Sequence, residues 1–282
     1  LLNDFKLATL VMADPSAKVQ DLDDGQLYSL PAMSDREEIV DAFKKYDRVA
    51  LPVTDSQGVM LGIITVDDVL DVATEEATED IQKLGGMQAL EAPYLNSPFG
   101  EMIRKRAGWL LVLFVGEMFT ATAMSYFEKE IARAVVLALF VPLIISSGGN
   151  SGSQATSLII RSLAVRELEL SDWWRVLRRE ATSGLVLGAV LGTIGFLRIE
   201  LWPTRTATYG PHFRMVAVAV AISLIGVVTF GTICGSMLPF LLRRLKLDPA
   251  TASAPFVATL VDVSGLVIYF SVASVVLRGL LW

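Results

Sequence analysis

The stretch Pro255–Phe270, PFVATLVDVSGLVIYF, carries one charge, Asp262, inside an otherwise uncharged and mostly apolar run. A bilayer core of about 30 Å is crossed by about 20 mostly apolar residues in a helix. Extended to about Ser253–Leu280, the run meets that length and reads as a membrane span with an acid near its middle. A carboxylate at that depth costs at least about 2.5–3.5 kcal/mol, so it faces a cavity, a partner or an ion path.

Four more stretches of this kind precede it, at about Ala107–Phe127, Ala132–Leu163, Thr182–Trp202 and Met215–Leu242. The second holds SSGGNSGSQ at Ser146–Gln154. Its glycines allow the backbone to leave helical geometry, so a break or bend inside the membrane is expected there, although glycines also permit close helix packing. Asn150, Ser151, Ser153 and Gln154 are neutral hydrogen-bonding groups, suited to a cation that keeps its water shell. Glu117, between Gly116 and Thr120, is a second acid within a span; it either lines the same route or pairs with a neighbouring helix. Gly184, Gly188, Gly192, Gly231 and Gly235 sit at the spacing of close helix packing. Ala164–Glu180, with Trp173, Trp174, Arg175, Arg178 and Arg179, reads as an amphipathic helix at the membrane surface.

The chain has 282 residues, 53% of them hydrophobic, and a mean hydropathy of +0.53. These averages hide two unlike parts. Residues 1–106 carry twenty Asp/Glu against ten Lys/Arg, and residues 107–282 carry ten against fourteen. The first part is an acidic water-soluble region and the second a membrane domain. With one cysteine, Cys234, and one histidine, His212, the chain is poorly equipped for disulfides, zinc catalysis or nucleophilic triads. Enzymatic chemistry is disfavoured, and the net charge of −6 speaks against nucleic acid. The chain opens on Leu1 with no secretory signal, so it is expected to be a piece of a longer protein. Eleven Lys/Arg flank the spans on the N-terminal side of the membrane and six on the other, which puts the N-terminus in the cytoplasm.

In the acidic part, Ser34–Tyr46 reads as a helix capped by Ser34, followed by strands at Arg48–Pro52 and Val59–Thr65 around the turn Asp55–Gly58, then a helix from Val66. Thr74–Leu90 continues as an acidic helical stretch. Asp68, Asp71, Glu75 and Glu79 fall on one helical face, with Asp67, Glu76 and Asp80 close by. Two readings stand: a solvated acidic face, or a weak site for a hard divalent cation that draws acidic surfaces together.

VALPVTDSQGVMLGIITVDDVLDV (Val49–Val72) resembles a CBS domain, a paired regulatory module that often binds adenosine nucleotides. LVMADPSA (Leu10–Ala17) resembles the end of a preceding CBS unit. PLIISSGGNSGSQATSLIIRSLA (Pro142–Ala164), LLRRLKLDPATASAPFVATLVDVSGLVIYF (Leu241–Phe270) and EEATEDIQKLGG (Glu75–Gly86) together resemble the MgtE magnesium transporters, in the same order along nearly the whole chain. The resemblance implies a mainly α protein: 1–17 the tail of a CBS unit, 18–73 a small α/β CBS domain, 74–106 an acidic connecting helix and linker, and 107–282 a transmembrane domain of five spans. It implies a homodimer in membrane lipid, in a prokaryotic inner membrane, that moves Mg²⁺ through a pore on the dimer axis. Asp262 would be the pore acid, Asn150 a lining residue and Asp248 an acid near the cytoplasmic mouth. Asp68, Asp71, Glu75, Glu76, Glu79 and Asp80 would lie in the region where regulatory Mg²⁺ holds the channel closed, and ATP is an allowed ligand of the CBS region. The family's GGNxGNQ pattern has Ser153 here in place of its second Asn, and a single CBS unit implies weakened closure. The alternatives are a transporter of another divalent cation or a proton-coupled solute carrier.

Overall fold

The computed structural model describes residues 7–22 and 27–278, and it divides into two compact units at Glu79/Asp80. The first begins with α1 (Leu7–Met12) and holds β1 (Leu30–Pro31), α2 (Arg36–Tyr46), β2 (Ala50–Thr54), β3 (Met60–Thr65) and the first part of α3 (Val66–Leu84). The strands form one sheet in the order β1-β2-β3, with β1 parallel to β2 and β2 antiparallel to β3. Leu30, Val40, Phe43, Leu51 and Val69 make its core. The hairpin forms where the sequence predicts, because the Asp55 carboxylate accepts from Gln57 N at 2.8 Å and Val59 N at 2.9 Å, and Gly58 takes the left-handed conformation. The cap of α2 differs from expectation: Asp35, one residue after Ser34, accepts from Glu37 N. Both residue types cap helices, and the one whose side chain reaches the free N–H groups is decided by where the chain enters the turn.

No chain break separates the CBS-like unit from the acidic stretch. α3 runs unbroken from Val66 and stops at Leu84, where Gly85 and Gly86 follow and Gly86 turns with φ +73°.

The second unit contains α4 (Phe99–Tyr126), α5 (Glu128–Arg133), α6 (Val141–Ala164), α7 (Trp173–Glu200), α8 (Arg205–Tyr209), α9 (Phe213–Arg244) and α10 (Ala254–Val276). Among the described residues, five helical segments are long and apolar enough to cross a membrane: Phe99–Tyr126, Val135–Ala164, Leu170–Glu200, Phe213–Arg244 and Ala254–Val276. α9 is the central post, packed by α6, α7 and α10, and α10 also holds α4. The expected end of the fifth span at Leu280 lies outside the described residues.

Two expectations are corrected. The second span does not break at Ser146–Gln154; α6 is continuous there, and the irregularity comes earlier, in the 3₁₀ segment Val135–Phe140. Gly148, Gly149 and Gly152 are buried, and a Cβ on Gly152 would lie 2.8 Å from Val257 Cγ1 and 3.0 Å from the Gly231 carbonyl. These glycines bring α6 against α9 and α10 with the helix intact. The surface helix expected at Ala164–Glu180 is likewise absent as a separate element: after the short 3₁₀ turn Leu170–Asp172, Trp173 begins α7 itself. Its arginines extend the third span instead of lying beside it.

Candidate functional site

Asp262 sits near the middle of α10, which is fixed at its start by Ser253. The buried Ser253 hydroxyl accepts from Phe256 N at 3.3 Å and from the Trp109 indole at 3.1 Å, so one side chain caps α10 and ties it to α4. From that cap, Val257, Val261, Gly265, Leu266, Tyr269 and Phe270 point into the bundle. Tyr269 donates to the Leu137 carbonyl at 2.8 Å, locking the far half of the helix. Asp262 is left on a half-exposed face.

α6 is similarly two-faced. Its buried side carries the glycines, Ala155, Ile159 and Leu163, whereas Ser146, Asn150, Gln154 and Ser157 recur every three to four residues on exposed positions. An exposed polar stripe on a membrane-length helix belongs against water or protein, not lipid.

A cavity of about 480 Å³ forms where α4, α6 and α10 meet, and its polar lining is Glu117, Thr120, Ser146, Asn150, Ser153 and Asp262. The Glu117 and Asp262 carboxyl groups come within interaction range of each other. Two acids at one membrane depth repel, and a cation between them removes that repulsion. Ser153 donates to the Ala254 carbonyl at 3.3 Å, so the residue that departs from the family pattern links α6 to the first turn of α10.

The remaining metal-site candidates, Asp248 and the acids of α3, are not in the lining of this cavity. Asp248 caps the 3₁₀ turn Pro249–Thr251 through Ala250 N at 2.8 Å and pairs with Lys83 Nζ at 2.6 Å. Asp68, Asp71, Glu75, Glu76, Glu79 and Asp80 lie along α3; Asp68 accepts from Thr65 Oγ1 at 2.8 Å, and Glu75 pairs with Arg36 at 3.2 Å. Among the described residues no group of three or more His, Cys, Asp or Glu side chains is placed to hold a metal ion. Thr120 and Ser146 were not singled out from sequence, although each lies one turn from a candidate: Thr120 from Glu117, Ser146 from Asn150. Lys83 had no sequence signal at all, because its partner is 165 residues away.

A family model described as a divalent cation transporter, MgtE, matches residues 141–272, and the CBS domain model matches residues 19–75. The magnesium transporter MgtE of Thermus thermophilus is 40% identical over 275 residues, which is 98% of this chain. The chain resembles the MgtE transporters along nearly its whole length. Proteins of the same name from Enterococcus faecalis and Bacillus subtilis are each 32% identical, over 99% and 96% of this chain. The chain spans 58–59% of the length of these MgtE relatives. The MgtE match contains α6, α9 and most of α10, hence both Asn150 and Asp262; α4 with Glu117 lies outside it.

Proposed function

We propose that this protein moves Mg²⁺ across a membrane through a channel-like route past Asp262, and that it is a transporter, not an enzyme. The observation that carries this reading is the convergence of Glu117, Asn150 and Asp262, from three different spans, on one cavity. Mg²⁺ gives up its waters reluctantly, and a route lined by carboxylates and neutral oxygens binds the hydrated ion by its outer waters. The membrane potential supplies about 2.3 kcal/mol per charge per 100 mV, about twice that for a divalent ion. The names of the curated relatives support magnesium as the cargo.

The route is formed by two copies. α4 packs chiefly on α10, leaves Leu111, Phe114, Met118 and Phe119 exposed, and shares a cavity with Ser146 and Asn150 of the exposed polar stripe of α6. A second copy facing this side would shelter both from lipid and place two Asp262 carboxylates along one path. The excess of basic residues at one end supports an N-terminus in the cytoplasm of a prokaryotic inner membrane. Acids on α3, Asp68 to Asp80, are the regulatory Mg²⁺ surface, with ATP an additional ligand of the CBS unit.

Flux into liposomes loaded with a Mg²⁺-sensitive dye tests the pathway. Asp262→Asn is expected to cut the initial rate at least tenfold, and wild-type flux from that variant would sink the assignment. The adjacency of the Glu117 and Asp262 carboxyl groups favours, as a second reading, proton-coupled transport. That reading predicts Mg²⁺ flux that follows an imposed pH gradient at fixed voltage; a channel predicts none.

A further inference from the structure

The end of the bundle where α7 begins and α9 finishes holds an apolar cavity of about 750 Å³ that the ion route does not use. It is lined by Trp173, Leu177, Cys234, Met237, Leu238 and Arg244 among others. That size lies within the range of pockets that enclose a small ligand. Ser171 also lines a second cleft, of about 600 Å³, whose walls carry Arg175, Arg178 and Arg179. The two hollows therefore adjoin, one apolar and one cationic.

The charges are only partly spent within the protein. Arg175 pairs with Asp172 at 2.8 Å, and the Arg178 guanidinium lies over the Trp174 ring at 4.8 Å. Arg244 has no hydrogen bond, ion pair or ring partner among the described residues. Beyond the cleft, α7 presents Leu185, Val186, Leu187, Val190 and Ile194 outward, a continuous apolar face of the kind that meets acyl chains. Trp173 and Trp174 mark the level where the span enters the headgroup layer.

We propose that this double cleft binds one anionic phospholipid, with an acyl chain in the cavity beside Leu177 and Leu238 and the phosphate held by Arg244 and the Arg175–Arg179 cluster. Basic pockets between membrane helices recognise anionic headgroups in this way. Four arginines against two carboxylates, Asp172 paired with Arg175 and Glu180 within electrostatic range of Arg179, leave a net positive cleft that selects a lipid of net negative charge over a zwitterionic one. A soluble phosphate would use the arginines and leave the cavity empty, and a protein partner would have to displace lipid from the face of α7.

The test uses the full chain in neutral detergent, offered equal amounts of phosphatidylglycerol and phosphatidylcholine, with retained lipid counted by native mass spectrometry. One phosphatidylglycerol per chain is expected in preference to phosphatidylcholine. Arg244→Gln should lower that retention about fivefold, the value of one arginine at an anionic surface. Leu238→Trp, which fills the cavity and keeps every arginine, should lose it too. Phosphatidylglycerol brominated on its chains should quench tryptophan emission, and Trp173→Phe should remove most of the quench. Equal retention of the two lipids, no retention of either, or unchanged retention in Arg244→Gln overturns the proposal. Displacement of the lipid by glycerol phosphate overturns it in favour of a phosphate site. Should a variant fail to fold, the lipid preference and the bromine quench of the unaltered chain still decide.

Discussion

Replacing Gly188 by alanine tests what holds the helix bundle of the second unit together. Gly188 faces α9, and a Cβ there would lie 2.7 Å from Ile225 Cα and 3.1 Å from the Ile225 carbonyl oxygen. Carbon atoms in good contact are about 3.5–4.0 Å apart, so α7 and α9 must separate by about 1 Å. Both clashing atoms are backbone, which leaves no side chain to swing aside. The neighbouring turns are equally close: a Cβ on Gly184 would meet Thr229 Cα at 2.7 Å, and one on Gly192 the Ala221 carbonyl at 2.8 Å. A gap of 0.5–1 Å forfeits about a quarter to a half of the dispersion well of each pair it opens. Overpacking of a tight interior costs about 1–3 kcal/mol, and opening the adjacent glycine turns puts this case at the upper end. Alanine returns up to about 1 kcal/mol as a better helix former. The net expectation is a loss of about 2 kcal/mol, or roughly 4–8 °C in the melting midpoint for a domain of this size. The assay is a thermal melt in detergent followed by tryptophan emission. Gly100→Ala is the matched control, since nothing lies within 4 Å of its added methyl; it should melt at or slightly above the wild-type temperature. A Gly188→Ala midpoint equal to wild type would refute the argument that backbone contact between α7 and α9 holds the bundle.

Three further outcomes are expected. Ser253→Ala removes the α10 cap and the acceptor for Trp109, at about 1 kcal/mol each; the midpoint should fall by about as much as in Gly188→Ala, with a red shift of Trp109 emission. Lys83→Met leaves Asp248 without its ion partner, a part-exposed pair worth about 0.5–1 kcal/mol, so a small drop in midpoint should vanish as salt is raised to 1 M. Neutralising Asp68, Asp71, Glu75 and Glu79 together should shift the Mg²⁺ concentration that protects the chain from protease to higher values; an unchanged protection curve refutes a regulatory role for α3.

The five spans were legible because the bilayer imposes a length and an apolarity that no other context requires over so many segments. Asp262 stood out for the same reason: a charge in such a run is costly wherever it points. The hairpin at Asp55–Gly58 was legible because its geometry is local, a carboxylate reaching N–H groups two and four residues on. The glycines of Ser146–Gln154 are ambiguous in the sequence because flexibility and close helix packing leave the same mark there. A glycine tells that a side chain is missing, and only the neighbouring helix tells why. Here Gly231 of α9 and Val257 of α10 occupy the space, and α6 is unbroken.

By itself the sequence determined the resemblance to the MgtE transporters, the division into an acidic and a membrane part, the number of spans and the acid at the centre of the last one. Each of these depends on composition within a window or on residues a few positions apart. Only the tertiary structure decided that Glu117, Asn150 and Asp262 share a cavity, that Ser153 ties α6 to α10, and that Asp248 is held by Lys83. Those contacts join positions up to 165 residues apart, and the rotation of each helix about its own axis fixes them. That rotation is set by which small residues meet across α6, α7, α9 and α10, a property of pairs of helices that no single segment contains.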